Sequence, residues 1–159
     1  MGGLVKGEDL GYYFSDRVLL SNEEANFSTE PDDTFCSFAA VGGNGVSLVQ
    51  GNEEGDMETE GRPDMVLGVV NRYSVCKDTK SLRNLCCPAG IPEYWLVDAR
   101  KTPLQLDILR WKRGGYSAAQ CRQGWLRSNV FGRSFLLETQ LDRLGHPQFF
   151  LRLGDAELF

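Results

Sequence analysis

This sequence predicts an α/β or α+β fold, with a mixed central β-sheet, a flanking helix and a β-rich C-terminal tail. Three observations predict it. Residues 63–70 (PDMVLGVV) and 93–98 (EYWLVD) are short, nearly continuous apolar runs, the pattern of strands covered on both faces. Between them lies one amphipathic helical stretch. Beyond them, short strand-like segments are separated by turn residues.

Each element can be justified in order. Residues 12–20 (YYFSDRVLL) have the aromatic and β-branched content of a strand, and the polar stretch 21–33 reads as a connection. Residues 34–41 (TFCSFAAV) alternate as a second strand, which Gly42, Gly43 and Gly45 break. Residues 46–50 form a brief pairing segment. The acidic stretch 51–63 (GNEEGDMETEGRP) has no apolar period and reads as an exposed loop. A helix is expected over 78–88. Asp78 is a suitable N-cap, and Leu82, Leu85, Cys86 and Ala89 share one stripe. Lys80, Arg83 and Asn84 lie off that stripe. Pro88 lacks the N–H that the helix needs and should end or kink it, and Gly90 suits the C′ position. Residues 104–112 and 116–121 form a hairpin across Arg113, Gly114 and Gly115. Further strands are expected at 133–138 and 148–153.

The whole chain, 1–159, is assigned to one domain. With 42% apolar and 25% charged residues it has an ordinary globular composition. No apolar run approaches the roughly 20 residues of a membrane span. The N-terminal stretch lacks the apolar segment of a secretory signal. A cytoplasmic protein with no membrane partner is expected. Five cysteines, at 36, 76, 86, 87 and 121, follow no paired ligand spacing, which argues for reduced thiols rather than zinc. With one histidine, His146, in a late loop, no Ser-His-Asp or Cys-His set is completed. No glycine-rich phosphate loop occurs. Residues 1–62 carry 13 acidic and 3 basic residues, against 9 and 14 in residues 63–159. The basic half could face phosphates; the simpler reading is a solvated Arg-rich sheet face.

Residues 62–98 carry a family resemblance. Pro63-Asp64 opens a strand that includes Val69. Asp78 follows a short turn, Ala89-Gly90-Ile91-Pro92 ends the helix, and Glu93-Tyr94-Trp95-Leu96-Val97-Asp98 follows directly. This resembles, without a gap, the signature of the Uma-type bacterial restriction endonucleases, a branch of the PD-(D/E)XK nuclease superfamily. The flanking strands, including Pro31-Asp32 upstream, resemble that family too, so the likeness covers nearly the whole chain. Two departures stand out. The family carries a glutamate where this chain has Gly68, and it has an N-terminal helix and strand before the segment matching residues 11–20.

The resemblance implies a restriction-endonuclease-like sheet, DNA as partner, and phosphodiester hydrolysis with Mg2+ or Mn2+. Such an ion polarises the phosphate and activates water, and it needs convergent carboxylates. Asp32 is implied as a metal ligand and catalytic residue, and position 68 as the site of a lost ligand. Asp64 is a weaker candidate ligand, because four residues of strand put it about 13 Å from Gly68. The family often places a lysine where this chain has Leu82; Lys77, which could reach the site from the turn, is the candidate catalytic lysine, with Lys80 as its neighbour at the helix start. Glu93, Tyr94 and Trp95 read as structural. Three outcomes are open: an endonuclease of impaired activity, a catalytically inactive DNA- or protein-binding remnant, or a non-functional fragment. A homodimer is compatible with each.

Overall fold

The computed structural model describes residues 2–15, 18–51, 57–71, 82–155 and 157. It is an α+β structure whose centre is a six-stranded mixed sheet. The strands and helices run in chain order as α1 (Gly2–Glu8), β1 (Gly11–Phe14), β2 (Leu20–Asn22), β3 (Phe27–Thr29), β4 (Asp33–Ser37), α2 (Phe38–Gly42), β5 (Val46–Gln50) and β6 (Met57–Gly61). The second half continues with β7 (Met65–Val70), α3 (Leu82–Ala89), β8 (Glu93–Asp98), β9 (Gln105–Lys112), β10 (Gly115–Ala118), β11 (Cys121–Arg122), β12 (Trp125–Ser128), β13 (Arg133–Leu141) and β14 (Pro147–Gly154).

The two apolar runs occupy the middle of the central sheet, whose order is β1-β4-β7-β8-β9-β10. β7 and β8 run parallel, and the connection between them contains α3. Both faces are covered, which explains the continuous apolar character of β7. On one face Phe35, Met65, Leu67, Trp95 and Ile108 pack against Phe131 and Phe135 of the C-terminal region. On the other, Val66 and Tyr94 pack with Cys86 and Ile91 of the α3 segment and with Leu20. Burial pushes the Cys86 thiol up to about 12, with Cys87 adding to the shift. Cys86 is therefore a protonated core residue near neutral pH.

α3 ends as its sequence suggests. Gly90 takes φ +69°, Gly90 N–H donates to Cys87 O at 3.0 Å and Ile91 N–H to Cys86 O at 3.3 Å. These are the paired bonds of a Schellman cap. The helix ends one residue past Pro88, whose ring nitrogen cannot donate to the Asn84 carbonyl. The expected start of this helix, at Asp78, lies outside the described residues.

Four features differ from the sequence reading. The central mixed sheet and β-rich tail are present as expected, but they come with two further sheets: a four-stranded sheet β11-β12-β13-β14 built from the tail covers one face, and β3-β2-β6-β5 forms another. Residues 12–20 split into β1 and β2, which join different sheets. Residues 34–41 leave the strand at Ser37, whose hydroxyl accepts the Ala40 N–H at 3.1 Å and caps α2. Part of the acidic loop is β6. Glu58 and Glu60 alternate with fully buried Thr59, whose hydroxyl donates to Leu19 O, so only one inward position in view betrays the period. The tight pairing there requires Gly61 at φ +116°, since a Cβ would sit 2.3 Å from Gly45 O.

The C-terminal sheet is fastened to the central one through Glu93. This carboxylate is 1% exposed and accepts four bonds. They come from Trp95 Nε1 at 2.9 Å, Ser128 Oγ at 2.7 Å, Asn129 N at 2.6 Å and Val130 N at 3.2 Å. The Ser128 hydroxyl in turn accepts the Phe131 N–H at 3.2 Å. Glu93→Ala should strand these donors and lower unfolding free energy by about 3–5 kcal/mol, whereas Ser128→Ala should cost about 1–2 kcal/mol. Urea denaturation checks both; a Glu93→Ala loss no larger than that of Ser128→Ala would refute the clamp.

Candidate functional site

The resemblance points to the place where the start of β4 meets the second half of β7. The ladder between these antiparallel strands pairs Asp33 with Leu67 and ends there. The next donor on β7 is the Val69 N–H. Asp32 takes it with its side chain, at 2.7 Å from Oδ2. A carboxylate thus stands in for the missing backbone acceptor. It lies directly beside Gly68, because Val69 N is bonded to Gly68 C. Across the sheet Gly68 pairs with Leu96, and Leu96 with Asp107.

The neighbouring acids on this end of the sheet are engaged. Asp98, opposite Val70, holds Arg100 in a two-pronged pair, with Nε to Oδ1 at 2.9 Å and Nη2 to Oδ2 at 2.8 Å. That hydrogen-bonded guanidinium holds the Asp98 carboxyl down at about 2, against a partial opposing effect of burial. Gln105 Nε2 donates to both oxygens of Asp107 at 2.9 Å. On the opposite face, Tyr13 donates its hydroxyl to Asp33 Oδ2 at 2.7 Å. Burial, then Asp33, pushes the Tyr13 phenol well above its usual range.

Asp64 sits at the other end of β7. Its Oδ2 accepts the Ser37 N–H at 2.6 Å, tying the turn into α2 to the start of β7. It also adds to the effect of burial in pushing the Cys36 thiol up to about 12. The structure therefore brings Asp32 to Gly68 and leaves Asp64 apart from them. Lys77 and Lys80 lie outside the described residues. His146 is exposed at the tip of the β13–β14 hairpin, beside Asp142.

Magnesium demands a near-octahedral set of oxygen ligands. Beside Gly68, which has no side chain to offer, the structure shows the carboxylate of Asp32, and one of its oxygens is already bound to Val69 N. Among the described residues no three His, Cys, Asp or Glu side chains converge on a metal-sized point. The described set does not fit a Mg2+ site. Also among the described residues, no helix is long and apolar enough to cross a membrane.

Sequence reasoning overlooked the Asp98–Arg100 pair, although an acid and an arginine two residues apart at a strand end were visible. The ladder-end role of Asp32 has no sequence signal, since it depends on where pairing with β7 stops.

The Asp98–Arg100 pair gives a pH prediction. Because the folded carboxyl is held below its ordinary 3.8, its stabilising contribution is present above that value and is lost as pH falls toward 2. Carboxyl NMR titration should show an Asp98 midpoint near 2 that climbs toward 3.8 in Arg100→Ala. An unmoved midpoint would show that Arg100 is not the cause.

Comparison with family models and with curated proteins returns no match. Among solved structures the chain is similar to a candidate nuclease of the DUF820 group from Anabaena variabilis ATCC 29413, with a TM-score of 0.56 and 13% sequence identity. The match covers 82% of this chain and 66% of that one. This chain therefore spans slightly under two thirds of that protein's length, and at this identity the likeness shows a shared fold.

Proposed function

We propose that this chain, acting as one domain over 1–159, is a divergent Uma-type restriction-endonuclease-like protein whose hydrolysis of DNA phosphodiesters is impaired. The observation that carries the reading is the Asp32 carboxylate on Val69 N, beside a glycine where the family has a glutamate. The shared fold with the DUF820 candidate nuclease supports the class. The Asp32–Gly68 juxtaposition supports the placement of the site, because two carboxylates at these positions would converge on one point of the sheet.

In this reading Asp32 is a catalytic residue and an incomplete metal ligand. Lys77 is the candidate lysine, and Asp64 is retained for the strand end that it ties rather than for an ion. Mg2+ or Mn2+ is the ion that a completed site would take. The missing side chain at 68 favours a second reading as well: a catalytically inactive remnant that still binds DNA or a protein.

Plasmid nicking separates them. The wild-type chain should cut very slowly with Mg2+ or Mn2+. Gly68→Glu should raise cutting by about tenfold or more, which corresponds to about 1.4 kcal/mol. Asp32→Ala in that background should remove the gain. Thermal melts give a second readout: Gly68→Glu should gain stability on adding metal, whereas a strand merely damaged by a buried charge should not. Brisk metal-dependent cutting by the wild type, unchanged by Gly68→Glu, would sink the impaired-site reading. DNA retardation without cutting by either protein would favour the remnant.

A further inference from the structure

We propose that the outer edge of β14 is a self-association surface, on which β14 of a second copy pairs antiparallel about a two-fold axis at Leu151. β14 is the last strand of its sheet, and among the described residues no strand pairs with its outer side. Alternate N–H and C=O groups therefore point outward, ready to continue the ladder. Natural edge strands are guarded by charges, bulges or proline. This one, PQFFLRLG, has proline only at its first position and Arg152 as its single charge.

The side chains argue for a cover at this edge. Phe149 and Leu153 stand opposite Thr139 and Phe135, on the side of the sheet that faces the core. Phe135 is fully buried, yet Leu153 is 51% exposed and Phe149 46%. The core side of the sheet thus runs out into solvent along this strand.

The strand is also complementary to itself, which selects a second copy as the occupant. In an isologous antiparallel pair, directly opposite residues share a face. With the axis at Leu151, Phe149 meets Leu153 of the partner subunit. Phe150 meets Arg152 of the partner subunit, an arrangement of cation and ring that Arg152 already adopts within its own chain at 5.6 Å. Glu138 balances that charge at 2.7 Å. With the axis at Arg152, two like charges would be opposed instead.

Light scattering on the full chain should give a dimer mass, and Leu153→Lys should weaken the dimer by at least about tenfold with unchanged circular dichroism. The register is tested by cysteine pairing in a Cys121→Ser background. A mixture of Phe149→Cys and Leu153→Cys chains should form an oxidised dimer, while either alone should not. A monomer at every concentration, open-ended aggregates, a dimer indifferent to Leu153→Lys, or failure of the mixed pair to cross-link would each overturn the proposal.

Discussion

The arrangement of this molecule depends on one buried carboxylate. Glu93 begins the central strand β8, and its charge would be costly in the core without partners. It finds four donors, and three of them belong to residues 128–130. Satisfying the charge thereby fixes where the chain turns between β12 and β13. That turn delivers Phe131 against Trp95, with ring centroids 5.7 Å apart, and sets Phe135 against the same indole at 4.7 Å. Trp95 also donates to Glu93, so one electrostatic requirement and one aromatic cluster stabilise the same junction. Glutamate and tryptophan two residues apart share a face of the strand, which is why both can serve it.

Much of this was legible in the sequence where burial is two-sided. Residues 63–70 and 93–98 announced themselves because each is covered above and below, and Gly90 marked the end of α3 because only a left-handed residue closes that cap. β6 was hidden because its inward face shows little more than Thr59, while Glu58 and Glu60 dominate the composition. α2 was hidden because Phe-Ala-Ala-Val alternates no worse as strand than as helix, and the Ser37 cap decides the matter locally. The division into three sheets is not written locally: β1 and β2 are neighbours in sequence, yet β1 pairs with β4 while β2 pairs with β3 and β6.

The candidate site was legible only through resemblance. Asp32 in isolation is one of two adjacent aspartates in a turn. Its position beside Gly68 follows from β4 ending its pairing one residue too early, which leaves the Val69 N–H to be met by a side chain. That duty belongs to the backbone and is independent of any ion. An aspartate is therefore useful at this position whether or not an ion is held there, whereas Gly68 has no side chain with a comparable duty.

The way the central sheet is covered also constrains how the chain can be made. All six central strands are complete at Ala118, but Phe131 and Phe135 come later. Arg133, which pairs with Glu8 across a separation of 125 residues, comes later too. A nascent chain emerging from the ribosome therefore presents one face of Phe35, Leu67 and Trp95 to water until its last strands appear. A central sheet without its cover is a partly folded state with exposed apolar surface, and such states are open to aggregation and chaperone capture. Order of synthesis, as much as final stability, bears on how much of this protein reaches its folded state.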